Sequence, residues 1–196
     1  MVKVLYIDCC IRREESRTRL LAETFLSGLQ SQKGYSVEKL CLMDENLAPL
    51  SEGFFTQREV LLLDDQRDHP RFRYAHQFRQ ADRLVVAAPF WDLSFPALLK
   101  LYIENICVEG ITFGANEQGT FGLCKAERLL FLTTRGGNYN NSPLEMGARY
   151  LEALCEFWGI PRFDVVAADG LDLGKEPVQT ILDRAMEEVL SLVDNF

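Results

Sequence analysis

An α/β sandwich, three layers deep around a five-stranded parallel sheet, is the fold predicted by these 196 residues. Two observations predict it. Short apolar runs rich in Val and Leu recur without the apolar–polar alternation of a half-exposed strand, which marks strands buried on both faces. Between them lie longer segments whose apolar residues return at helical spacing. Strand, helix and strand in alternation make crossover units, and the simplest sheet of five such strands has the order 2-1-3-4-5. The chain is long enough to bury one sizeable core, so residues 1–196 read as one domain, with 44–80 as an irregular insertion or connector.

The elements follow in order. Val2–Asp8 reads as the first strand and Cys9–Glu15 as a polar loop. Ser16-Arg17-Thr18 opens a helix with Leu20, Leu21, Phe25 and Leu29 on one face, ending near Lys33-Gly34. Ser36–Leu42 is the second strand. Asn46–Ser51 looks like a turn, Phe54–Leu63 like a short helix and Asp64–Pro70 like a charged connector; a helix over Tyr74–Gln80 leads into the third strand, Leu84–Ala88. Pro89 cannot donate to a sheet ladder and ends that strand. Ser94 is expected to cap the next helix, with Phe95 and Pro96 in its first turn and Leu98, Leu99, Tyr102, Ile103 and Ile106 inward. Gly114–Lys125 reads as a loop or hairpin, and Arg128–Thr134 as the fourth strand. Glu145–Trp158 is a helix expected to turn Met146, Tyr150, Leu151, Leu154 and Phe157 inward, stopped by Gly159 with Pro161 beyond. Arg162–Ala168 is the fifth strand and Glu176–Val193 the closing helix.

Composition narrows the function. Apolar residues make up 47% and charged residues 26%, and the net charge of −8 disfavours nucleic acid or an anionic membrane as a partner. The apolar start is too short for a signal peptide and no run approaches the ~20 apolar residues of a membrane span, so the cytoplasm is the expected compartment. Six cysteines include the adjacent Cys9-Cys10 but no CxxC pair, and there are only two histidines. No metal site is expected, and the cysteines read as buried or loop thiols of a reducing compartment.

The chemistry is expected where open parallel sheets bind ligands, at the carboxyl ends of the strands. Three loops meet there. Cys9–Thr18 brings Ser16, Arg17 and Thr18 to a helix start, which suits a phosphate or simple capping, with Arg12 and Arg13 adding charge. Pro89–Leu93 brings Phe90 and Trp91, which serve either a flat ring or core packing. Thr134–Tyr139 brings Gly136 and Gly137, which allow close backbone approach or merely a tight turn. Together they point to a flat, phosphorylated cofactor. No GxGxxG follows a strand and no GxxxxGK[ST] occurs, which argues against dinucleotide-binding Rossmann domains and P-loop enzymes. A receiver domain would need an acceptor Asp where Pro89 and Phe90 follow the third strand.

Pro89-Phe90-Trp91, Pro96-Ala97-Leu98-Leu99-Lys100, Gly110-Ile111-Thr112-Phe113 and Thr134-Arg135-Gly136-Gly137 carry a resemblance. The chain resembles the FMN-dependent NADH-azoreductases and NAD(P)H:quinone reductases of the flavodoxin-like superfamily over nearly its whole length, least over 44–80. The resemblance implies a flavodoxin-like sandwich and FMN held without a covalent link. It places the phosphate at Ser16, Arg17 and Thr18, beside Cys9. It places the ring along Pro89, Phe90, Trp91, Asp92 and Leu93 and against Thr134, Arg135, Gly136 and Gly137. Tyr139 is implied as a proton donor or a stacking residue. Hydride would pass from NADH or NADPH through the flavin to a quinone or azo acceptor, in a homodimer. The exposed-looking Phe54, Phe55, Phe113 and Phe121 agree with a partner surface near the flavin, supplied by 44–80 or 110–125. Cys9 and Cys10 stand where azoreductases tend to have serines, and Asp92 where they tend to have Asn. A flavodoxin-like electron carrier and a flavin-free binding or regulatory member are the alternatives.

Overall fold

The computed structural model describes all residues, 1–196. Its strands are β1 (Val2–Asp8), β2 (Tyr35–Cys41), β3 (Arg83–Ala87), the short pair β4 (Phe113–Asn116) and β5 (Gly119–Gly122), β6 (Leu129–Thr134) and β7 (Phe163–Ala168). Five of them form one parallel sheet in the order β2-β1-β3-β6-β7, while β4 and β5 form a separate antiparallel hairpin. Counted along the main sheet alone, this is the expected 2-1-3-4-5. The helices are α1 (Arg17–Ser31), α2 (Glu52–Leu63), α3 (Arg73–Gln80), α4 (Ala97–Ile106), α5 (Gly147–Trp158) and α6 (Val178–Ser191).

Strand alternation divides the core in two. Leu5, Ile7 and Cys9 face one layer, where they join Phe78 of α3, Tyr102 of α4 and Trp158 of α5. Val4, Tyr6 and Cys10 face the other, with Phe25 of α1 and Ile181 and Val189 of α6. Each face of the central strands is covered, which is why their sequences are continuously apolar. The same alternation sends Cys9 and Cys10 to opposite sides of the sheet, so the adjacent pair does not act as one redox unit. Burial pushes the Cys9 thiol up to about 12, far from the thiolate that redox chemistry needs.

Residues 44–80 are more regular than the sequence suggests. Leu61 of α2 packs with Phe72, Ala75, Val108 and Ile111 in a small cluster of their own. Arg58 of α2 donates to the Glu104 carbonyl at 3.4 Å and to the Cys107 carbonyl at 2.6 Å. These lie at the carboxyl end of α4, where unpaired carbonyls gather and a cation is favoured. Elsewhere on α2, Phe54, Phe55, Val60 and Leu63 are exposed.

Three local expectations are corrected. Ser94 does not cap α4: both its backbone groups pair with Trp91, and α4 starts at Ala97 after Pro96. Met146 precedes α5 and is exposed; Cys155 and Trp158 join Leu151 as the buried residues of that face. Leu20 lies on the solvent side of α1. The glycine expectation at the end of α5 holds, since Gly159 caps it at φ 77°. Opposite it, a Cβ on Gly122 would occupy the Trp158–Gly159 backbone, so β5 docks there only as glycine.

Candidate functional site

The carboxyl ends of β1, β3, β6 and β7 open onto one cleft of about 140 Å³. Its first wall is the turn into α1. Asp8, fully buried at the end of β1, accepts the Cys10 N–H at 3.0 Å and so bends the chain out of the strand. Lys39 Nζ at 3.3 Å and Arg19 Nε at 3.9 Å balance its charge, although its second oxygen has no well-directed hydrogen bond. After a 3-10 turn at Arg13–Glu15, Ser16 caps α1 by accepting the Arg19 N–H at 3.3 Å. The N–H groups of Arg17 and Thr18 in the first turn then have no carbonyl partner and lie at the positive end of the helix, an arrangement suited to an anion.

The second wall follows β3. The Phe90 N–H donates to the Thr134 carbonyl at 3.1 Å, tying this loop to the end of β6. The Phe90 ring lies 4.5 Å from the Tyr139 ring, and the Arg135 guanidinium lies 5.5 Å from Phe90. Beyond it the chain reverses in two residues. Trp91 and Ser94 exchange backbone hydrogen bonds at 3.1 and 2.8 Å, and Asp92 and Leu93 both take positive φ, 49° and 67°. Asp tolerates that conformation; Leu does so at a cost of ~1–2 kcal/mol. The Met146 N–H holds the Leu93 carbonyl at 2.9 Å and helps fix the turn. Trp91 is left 43% exposed at the mouth of the cleft.

The third wall is the glycine turn after β6. The Arg135 guanidinium is committed to Glu145 at 3.2 Å and Asp169 at 3.4 Å, all three being buried or nearly so. Glu145 also accepts the Ala148 N–H and so caps α5. Gly136 passes so close to the Asp172 carboxylate that a Cβ there would collide with it.

Ser16, Arg17, Thr18, Pro89, Phe90, Trp91, Thr134, Arg135 and Gly136 are thus brought together as expected from sequence. Others are placed differently. Cys9 is fully buried among core residues and lines no part of the cleft. The Thr18 and Thr134 hydroxyls bond each other at 2.6 Å, so they brace the cleft floor. Asp92 and Leu93 form the exposed tip of their turn, and Gly137 lies against the ring of Tyr139, which backs Phe90. Arg12, expected only as added charge, and three residues outside the expected set, Glu15, Leu171 and Asp172, complete the lining. The last two belong to the loop after β7. Its Asp169-Gly170-Leu171-Asp172 turn follows a strand at the same sheet edge, which is the signal that would have found it. A wider depression of about 1120 Å³ lies at the opposite end of β7; it is open and lined by Arg128, Arg149, Glu152, Glu156 and Arg162 among others. Only the smaller cleft combines a helix N-terminus, aromatic walls and a glycine turn.

The arrangement sets a helix N-terminus at one part of the cleft and aromatic side chains with a glycine turn at the others. A family model described as the flavodoxin-like fold matches residues 2–193. The chain is 39% identical over 201 residues to a Clostridium acetobutylicum protein named FMN-dependent NADH:quinone oxidoreductase 2, all of both chains being covered. It is 35% identical over 200 residues, again with full coverage of both, to the FMN-dependent NADH:quinone oxidoreductase of Clostridium perfringens. Among solved structures, an azoreductase from Bacillus anthracis superposes over both whole chains with a TM-score of 0.90 at 25% identity. A second Bacillus anthracis structure, an FMN-dependent NADH-azoreductase in complex with FMN, has the same fold, with a TM-score of 0.88 at 23% identity over 100% of this chain and 99% of that one.

Proposed function

This chain belongs to the flavodoxin-like fold family that its residues 2–193 match, and from that premise we propose that it is an FMN-dependent oxidoreductase passing hydride from NADH to a quinone or azo-type acceptor. The observation that carries the reading is the convergence of the α1 N-terminus, the Pro89–Trp91 wall and the Gly136 turn on one cleft. The residues present fit FMN. The free N–H groups of Arg17 and Thr18 and the Ser16 hydroxyl suit its phosphate, and Phe90 and Trp91 offer apolar faces to its ring. FMN, when bound, supplies the hydride chemistry. The protein's part is to bind and orient. Gly136 lets the backbone come close to the ring edge, and the Tyr139–Phe90 pair stiffens the wall behind it. We assign Tyr139 to that support and not to proton donation, since its ring backs Phe90 and it does not line the cleft. The relatives named for quinone reduction support this assignment of the acceptor.

Purified protein is expected to show flavin absorbance bands, or to quench FMN fluorescence on titration, and to oxidise NADH with a quinone. A colourless protein that does not quench FMN would overturn the reading.

We further propose one domain over 1–196 and a homodimer. Phe54, Phe55, Val60 and Leu63 on α2, with Phe121 on the hairpin, leave more apolar surface than isolated exposed residues would. A closed two-fold pairing covers exposed apolar residues of this kind most simply. Light scattering should then report a particle of about twice 22.4 kDa, and a particle of 22.4 kDa at micromolar concentration would count against the pairing. Six free cysteines support a reducing compartment, the cytoplasm. No helix is long and apolar enough to cross a membrane.

A further inference from the structure

We propose that Glu15 and Asp172 are resident anions of the cleft: they hold its two arginines until a flavin phosphate displaces them, and so they set how tightly the phosphate end binds. The inference rests on the FMN reading above and adds to it two residues that oppose binding.

The cleft mouth carries Arg12 and Arg17, the side chains a phosphate would meet first. Neither is free. Arg12 lies 3.2 Å from Glu15 and Arg17 lies 3.1 Å from Asp172. The neighbouring arginines are taken as well: Arg13 pairs with Asp44 at 2.7 Å and Arg19 with Glu23 at 2.7 Å and Glu14 at 2.9 Å. The phosphate end therefore carries no excess of positive side-chain charge, and its attraction comes from the helix N-terminus.

Exchange is feasible because the pairs are weak. Their side chains are 41–77% exposed, and ion pairs of that kind change an equilibrium by only about 1.4- to 5-fold. A phosphate carries roughly −1.5 to −2 charges and three acceptor oxygens against one charge on a carboxylate, and guanidinium binds it in the same forked geometry. The phosphate thus wins Arg17, but it does so against Asp172. Asp172 cannot retreat far, because its backbone N–H is bonded to the Gly136 carbonyl at 2.9 Å and its carboxylate lies over Gly136. A bound phosphate would share Arg17 with a nearby like charge.

The test titrates the flavin-free full-length protein with FMN and, separately, with riboflavin, which has the ring and ribityl chain but no phosphate. Asp172→Asn should tighten FMN by about 1.4- to 5-fold at low salt, the range set by one exposed pair. Glu15→Gln should act in the same direction. Riboflavin affinity should not change, and it serves as the control for folding. The gain should shrink towards 1 M salt, where the screening length falls to about 3 Å. In an Arg17→Met background Asp172→Asn should lose most of its effect, since there is no arginine left to release. Weaker FMN binding by Asp172→Asn would overturn the inference and assign Asp172 a direct ligand contact. An equal gain for riboflavin, or no change for FMN, would overturn it too. Wild-type protein that binds no FMN would overturn the cofactor reading itself, a failure visible before any variant is made.

Discussion

Replacing Arg135 by Leu should cost the flavin-free protein about 3–5 kcal/mol, the usual penalty when one member of a buried ion pair is removed. Arg135 is 4% exposed and is flanked by Glu145 and Asp169, whose side chains are 8% and 18% exposed. Leucine would leave two carboxylates in apolar surroundings without a cation. Glu145 could fall back on the Ala148 N–H and Asp169 on the Tyr139 N–H at 3.4 Å, but neither bond neutralises charge. For a chain of this size each kcal/mol shifts Tm by roughly 2–4 °C, so a loss of ~6–20 °C is expected in a thermal melt. Arg135→Lys should recover part of it, keeping the charge and losing the fork that reaches both acids. A drop below ~1 kcal/mol in denaturant unfolding would show that the triad holds nothing together. The effect reaches the site as well, because Arg135 underlies Phe90 and its two acids hold the Tyr139 backbone and the start of α5.

Arg135 also shows what a sequence can and cannot tell about this cleft. Its position after the fourth strand, next to two glycines, puts it among the residues lining the cleft. Its role depended on two acids 10 and 34 residues away, and no local pattern reports which partner a guanidinium will choose. The sheet order was legible because the central strands are continuous apolar runs set between helical periods, and that pattern has one simple topology. The three lining loops followed from the topology alone. What escaped were features decided by long-range pairing. Ser94 looks like a helix cap until its backbone is found paired with Trp91. Cys9 sits one residue past the strand in sequence, yet its N–H continues the ladder to the Ala87 carbonyl at 2.8 Å, which turns its side chain into the core. Asp172 lies after the last strand, outside the three converging loops, and it reaches Arg17 across 155 residues.

Trp91→Ala should separate the two uses an aromatic residue can have at a strand end. The indole is 43% exposed and stands on a turn closed by main-chain bonds to Ser94, so the fold does not depend on it. Unfolding of the flavin-free variant should therefore stay within about 0.5 kcal/mol of wild type, as for other surface changes. Flavin binding should suffer much more. Stacking of a flat heteroaromatic ring on one side chain is worth ~1–3 kcal/mol, or roughly 5- to 150-fold in affinity. If the indole stacks on the ring, FMN and riboflavin, which share that ring, should weaken by the same factor, and Trp91→Phe should keep most of the binding. The opposite pattern would reject this role: a flavin-free variant destabilised by the ~3–5 kcal/mol of an aromatic core deletion, whose folded fraction still binds FMN normally, would place Trp91 among the packing residues. The strained Leu93 argues for the first outcome. A left-handed leucine two residues from an exposed indole is a local cost that core packing does not recover, because neither side chain is buried. It is accounted for if the turn exists to hold Trp91 over a ligand.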